Sequence, residues 1–289
     1  MWVTLAVASA LFLGVYDIFK KVSLRDNNVL AVLFLNTLFS AVLMSPVVIH
    51  GLFDRTLDFD TTAHLLIMLK AVIVLGSWIL GYFGIKHLPL TIAGPVNASR
   101  PVLVLIGALI IYSEHLNVIQ WIGILIGFLS LFLISQVGRR EGFALTQSKW
   151  LWFSFGAALL GAVSALYDKF LLRSFSPLSV QGWYAFYQFI FMGSLLFLLN
   201  RIQASRVPFR WRWSILFISF FLTTADLAYF YALSLPDSMI SIVSMIRRGS
   251  VMVSFFYGVL ILHEKHVRAK IVDLLILLVS LILLVVGSE

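Results

Sequence analysis

The sequence predicts an all-α integral membrane protein of ten transmembrane helices, arranged as two inverted five-helix repeats. Three observations predict this. Of the 289 residues, 61% are hydrophobic and only 12% charged, against about 45–50% apolar and about 25% charged in a typical water-soluble domain. The apolar residues gather into ten runs of bilayer-crossing length. Paired motifs recur in the same order in the two halves.

A helix needs about 20 mainly apolar residues to cross the hydrocarbon of a bilayer. In chain order the runs cover roughly 2–20, 29–50, 64–85, 89–112, 117–137, 150–172, 177–199, 212–234, 237–262 and 267–287. The first has no basic segment before it and continues into Tyr16, Asp17 and Lys20. It therefore reads as a span and not as a cleaved signal peptide. Runs this long and apolar suit helices, which satisfy their own backbone groups, better than barrel strands. The connections are short, the longest being 51–63, "GRREGFALTQSK" (138–149) and "NRIQASRVPFRWR" (200–212).

Loop charge sets orientation. One set of loops holds Lys20, Lys21, Arg25, Lys86, Arg139, Arg140, Lys149, Arg201, Arg206, Arg210, Arg212, Lys265, Arg268 and Lys270. The other holds Arg55, Lys169 and Arg173. The asymmetry places the 138–149 linker and the 200–212 loop in the cytoplasm and both termini outside. The expected location is the cell (inner) membrane.

The repeat is visible in two places. "GYFGIKHLPL" (81–90) aligns with "AYFYALSLPD" (228–237), so that Tyr82 and Phe83 fall on Tyr229 and Phe230, and Leu88 and Pro89 on Leu235 and Pro236. "GVYDIFK" (14–20) aligns with "ALYDKFL" (165–171) at nearly the same offset. The expected division is a first repeat 1–137, a linker 138–149 and a second repeat 150–289. Five spans are an odd number, so the second repeat enters the membrane from the opposite side. Inverted repeats of this kind characterise transporters, whose substrate site lies near the midplane between the repeats.

Other functions find little support. There is no Cys, hence no disulfide framework and no Cys-based metal site or nucleophile. "HEKH" (263–266) lacks the four-residue His spacing of a helical zinc motif and reads as a polar loop. No Ser/His/Asp arrangement or glycine-rich phosphate loop appears. No enzyme activity, metal or cofactor is expected. The net charge of +8 suits cytoplasmic loops, and no loop is long enough to form a nucleic-acid-binding domain. The glycines of "IGILIGF" (122–128) suit close helix packing.

The charges inside the spans carry the functional signal. Each costs roughly 2.5–3.5 kcal/mol at the centre of a membrane helix. Arg100 lies midway in "NASRPVLVL" (97–105), and Arg247 and Arg248 lie in "SMIRRGSVMV" (244–253). The offset that aligns the Tyr-Phe and Leu-Pro pairs also puts Arg100 on Arg247. Arginine offers a planar fork of donors matched to carboxylate or phosphate oxygens. Asp17 and Asp168 occupy paired positions, and Asp226 sits in "TTADLAYFY" (223–231). These aspartates are candidates for balancing the arginines or coupling to protons. Simple neutralisation of the arginines by the aspartates is the competing structural explanation.

Further candidates share these helices. Ser241, Ser244 and Arg248 are spaced i, i+3, i+7 on one face. Asn97 stands a turn before Arg100, and Pro95 and Pro101 flank it. Tyr82, Tyr229, Trp78, Tyr187, Trp183 and Tyr184 are candidate cavity aromatics, with packing and interfacial roles as the alternative. Lys20 and Lys169 read as snorkelling anchors or gates.

With these features the chain resembles the drug/metabolite transporter superfamily in its EamA-like ten-helix form. The resemblance rests on the five-plus-five repeat, the Leu-Pro pairs, and the segments "YSEHLNVIQWIGILIGFLSL" (112–131) and "LHEKHVRAKIVDLLILLVSL" (262–281). Glu114 and Glu264 fall at matching places in the two segments. Phosphate translocators and nucleotide-sugar transporters of this superfamily carry a basic pair in the ninth helix, usually Lys-Arg. Arg247 and Arg248 fall on that pair, and Arg100 on a basic position of the fourth helix. The resemblance implies an anionic substrate, with phosphorylated metabolites among the candidates. It also implies cytoplasmic termini, opposite to the loop charges.

The expected function is a secondary transporter that moves a small anionic metabolite by alternating access. One alternative is an exporter of amino acids or amphipathic compounds. Another is a lipid-phosphate flippase or a non-transporting membrane subunit. The expected partners are a small-molecule substrate and the lipid bilayer, with the protein a monomer or a homodimer.

Overall fold

The computed structural model describes residues 1–24, 27–53, 61–87, 99–137, 149–202, 208–250, 252–253 and 267–288. Among the described residues there is no strand, and ten helices follow one another. They are α1 (Trp2–Leu24), α2 (Val29–Phe53), α3 (Thr61–His87), α4 (Arg100–Ile111), α5 (Val118–Val137), α6 (Lys149–Leu171), α7 (Pro177–Ile202), α8 (Ser214–Ser234), α9 (Ile240–Arg247) and α10 (Val267–Val286). Over their described residues α1, α2, α3, α6 and α8 are each long and apolar enough to cross a bilayer. Their outer faces are as apolar as their inner ones. Leu11, Val42, Leu65, Val72, Trp152 and Phe220 are all exposed, as helices that meet lipid require.

The closest packing runs between the halves of the chain. α1 packs along α8, α3 along α6, α2 against α7, and α5 against α10. α4 meets both α6 and α9, and α1 meets α9. Exchanging each helix of the first five with its counterpart five places on turns α1–α8 into α6–α3, and α4–α6 into α9–α1. The pairs α2–α7, α4–α9 and α5–α10 map onto themselves. These main contacts are therefore symmetric under exchange of the two five-helix repeats, and the architecture is that of an interlocked inverted pair.

Small residues set the spacing where helices touch. A Cβ on Gly123 of α5 would lie 3.0 Å from the Leu284 side chain and 3.2 Å from the Ser280 carbonyl oxygen of α10. The same approach lets Ser280 Oγ donate to the Gly123 carbonyl at 2.7 Å. This is the close contact between backbones that membrane helices use in place of a hydrophobic driving force.

Two spans differ from their sequence expectation. Of the fourth, expected over 89–112, residues 88–98 lie outside the described residues, and α4 begins at Arg100. The ninth, expected as one span 237–262, ends as α9 at Arg247. Arg248 and Gly249 form a turn in which each backbone N–H bonds three residues back, to Met245 at 3.0 Å and Ile246 at 2.9 Å. Helical backbone is present again at Ser250, Met252 and Val253. Glycine is a weak helix former, and the negative end of a helix dipole favours arginine there. Both effects locate the break at the arginine pair.

Candidate substrate site

Five helices bring their charged groups together around the break in the ninth span. Arg247 closes α9, and its Nη2 donates to Asp226 Oδ1 of α8 at 2.8 Å. Its guanidinium lies 4.1 Å from the ring centroid of Tyr229, one turn further along α8. Its Nε is buried with no hydrogen-bond partner. Arg248 follows in the turn and feels the charges of Arg100, Arg247 and Asp17 of α1. Arg100 opens α4 and lays its guanidinium across Gly161 of α6. A Cβ at that glycine would stand 2.8 Å from Cζ and Nε. Arg247, Asp168 and Asp226 all act on Arg100 electrostatically. Among the described residues neither Arg100 nor Arg248 forms an ion pair.

Asp168 of α6 is buried and is paired with Lys70 of α3. Lys70 is itself 2% exposed. Its ammonium faces the rings of Phe230 at 4.1 Å and Tyr184 at 4.5 Å. A buried cation is tolerated when a carboxylate and aromatic faces replace its water. Asp168 is thereby committed to a lysine rather than to an arginine.

The other candidates are distributed more widely. Ser244 is partly buried on α9, one turn before Arg247 and Arg248. Trp78 lines a small polar cavity that also contains Asp226. Tyr187 hydrogen-bonds His64 Nδ1 at 2.7 Å and stacks on Trp183 and Phe191. Ser241 is held at the opposite end of α9. Its hydroxyl donates to Glu114 Oε2 at 2.5 Å, and the backbone N–H groups of Ile240 and Ser241 donate to the same carboxylate at 2.6 and 3.2 Å. Glu114 thus caps the first turn of α9, where a carboxylate satisfies orphan donors and complements the dipole. Asn97 lies outside the described residues, as does the side chain of Tyr82.

The family model described as the EamA-like transporter family matches residues 1–136 and 148–286. The chain belongs to the EamA-like transporter family. It is therefore a multi-pass membrane transporter of the drug/metabolite type, a family of transporters rather than enzymes. No curated protein matches it. A solved crystal structure shares the fold at 14% identity with a TM-score of 0.70, covering 99% of this chain and 94% of its own.

In this EamA-like transporter a second polar layer closes the end of the bundle where α4, α6 and α8 finish. A cavity of about 430 Å³ there is lined by Tyr112, Glu114, Lys169, Arg173, Pro236 and Asp237, among others. Lys169, expected to snorkel, is instead buried. It donates to the Ser238 hydroxyl at 2.6 Å and to the Ser238 carbonyl. Arg173 stacks on Tyr112 at 4.6 Å. These contacts tie the end of α6 to the start of α9, next to the Glu114 cap.

Sequence reasoning missed Lys70. The signal was present, a single lysine within "HLLIMLKAVIVL" (64–75), deep in an expected span. Gly161 was also unremarked, and it supplies a clean test. The atoms nearest to an alanine there belong to the Arg100 guanidinium, the far end of a flexible side chain, which must shift to admit it. Gly161→Ala is expected to leave the thermal unfolding temperature of the transporter within about 2 °C of wild type. Its initial transport rate should fall severalfold. An unchanged rate would mean that the seat of Arg100 is immaterial to transport.

Proposed function

We propose that the transporter carries a small organic anion, bound near the midplane by Arg100, Arg247 and Arg248. One observation carries this reading. Among the described residues the central cluster sets four cations, Lys70, Arg100, Arg247 and Arg248, against three carboxylates, Asp17, Asp168 and Asp226, and Lys20 of α1 acts on Asp17 in addition. Neutralisation of the arginines by the aspartates is therefore incomplete. An uncompensated charge in hydrocarbon is costly, and an anionic guest removes that cost. Phosphate esters and carboxylates are the classes whose oxygens match the arginine fork.

In this reading the Tyr229 ring supports the Arg247 guanidinium, Ser244 stands one turn before the arginine pair, and Trp78 shares a cavity with Asp226. Asp17 and Asp226 hold the arginines while the site is empty. The repeats 1–137 and 150–289, joined by 138–149, rock about the site to expose it alternately. The loop charges orient the protein in the inner membrane with both termini outside.

The test is counterflow in proteoliposomes. Vesicles preloaded with a phosphorylated or carboxylated metabolite are expected to accumulate the labelled compound saturably, while vesicles loaded with amphipathic amines do not. Counterflow of amines alone would replace the anion reading with that of an amphipath exporter. Lipid scrambling without solute flux would replace it with a flippase.

A further inference from the structure

A small cavity between α2, α7 and α8 sets a few polar groups among apolar and aromatic walls that include Trp78, Tyr184 and Leu222. Asn36, Thr37 and Ser40 come from α2, Gln181 from α7, and Thr223 and Asp226 from α8. It holds about 20 Å³, room for one water-sized occupant. Asn36 is 3% exposed and Gln181 2%, yet Asn36 Oδ1 and Gln181 Oε1 have no hydrogen-bond partner. Buried acceptors left unmade are costly, so two beside one cavity call for an occupant. The hydroxyls of Thr37 and Thr223 donate elsewhere, to the Phe34 carbonyl at 2.8 Å and Ser40 Oγ at 3.2 Å. Each hydroxyl thereby spends its proton and keeps its oxygen available as an acceptor. Asp226 is engaged by Arg247 through Oδ1 only, and no bond to its Oδ2 is present among the described residues.

We propose that this cavity is a monovalent-cation site of sodium size, formed by Asn36, Gln181, the neighbouring hydroxyls and Asp226. Neutral oxygens with one carboxylate suit a hard cation of single charge. A divalent ion takes more carboxylates than this site offers, and here the one present is shared with an arginine. Occupation has a consequence that rests on the anion reading. A cation at Asp226 competes with Arg247 for the carboxylate and turns the guanidinium towards an incoming anion. By linkage the anion then strengthens cation binding by the same factor.

The test needs no substrate. Thermal unfolding of the purified transporter is followed while about 100 mM choline chloride is replaced by sodium chloride, which holds chloride and ionic strength constant. Sodium is expected to raise the unfolding temperature by about 3 °C. Asn36→Ala and Gln181→Ala should each abolish that rise. Arg248→Gln, outside the cavity, should keep the sodium response while losing any response to anions, so failure of the cation site and failure of the anion site are told apart. If sodium and choline act alike on the wild-type protein, the occupant is a trapped water and the proposal is overturned. A sodium response that survives in both amide variants overturns it equally.

Discussion

Lys70→Met is expected to destabilise the transporter by about 3–5 kcal/mol, the largest loss of any single substitution considered. The pair with Asp168 is buried on both sides, at 2% and 7% side-chain exposure. Removing one partner strands the other charge away from water, which costs about that much. The substitution also removes the ammonium from the faces of Phe230 and Tyr184. Asp168→Leu should destabilise as well, because it strands the lysine. The double variant Lys70→Met with Asp168→Leu should recover most of the loss, since a buried ion pair exchanged for apolar groups is often neutral. Thermal unfolding of the four proteins in one detergent forms the double-mutant cycle that measures the coupling. Additive losses would show that the pair does not act as a unit.

Arg248→Gln is expected to act on function more than on stability. Arg248 sits in the turn after α9 and has no ion pair among the described residues. Its removal breaks no ion pair, although Asp17 loses one of its nearby positive charges. What is lost is a charge-assisted hydrogen bond to the guest, worth about 1.5–3 kcal/mol. The apparent affinity for the transported anion should therefore fall about 10–100-fold. Arg247→Gln is expected to behave differently. It frees Asp226 from its bond at 2.8 Å, so a stability loss should accompany the functional one.

The fold was legible because bilayer thickness fixes the length of each span. Eight of the ten expected runs fall on helices with ends shifted by a few residues. The repeat was legible because Tyr-Phe and Leu-Pro recur at one offset, and an odd number of spans dictates inversion. The break at Arg248 and Gly249 was not legible. Prolines suggested a loosened backbone near Arg100, whereas a single glycine after two arginines gave no comparable signal in the ninth span.

The candidate site was legible where charge density was high. Arg100, Arg247, Arg248, Asp17 and Asp226 stood out against apolar neighbours, and the structure brings them into one electrostatic neighbourhood. Partner choice was not legible. Asp168 pairs with Lys70 across 98 residues of sequence, and no local spacing encodes that match. Asn36 and Gln181 were equally silent. A lone amide in a helix acquires meaning only when its neighbours on other helices leave it unpartnered. Ser241 shares a helical face with Arg248, but Glu114 from the first repeat holds its hydroxyl, a contact that only the interlocked packing creates.

The decisive measurement is the thermal-shift response of wild type and Arg248→Gln to organic phosphates, carboxylates and amines at equal concentration. A bound ligand at free concentration c stabilises the folded form by RT ln(1 + c/Kd). Wild type should be stabilised by one or more of the anions and by none of the amines, and Arg248→Gln should lose that response while unfolding at nearly the wild-type temperature in their absence. Stabilisation by amines, or an anion response equal in both proteins, would contradict an arginine-lined anion site.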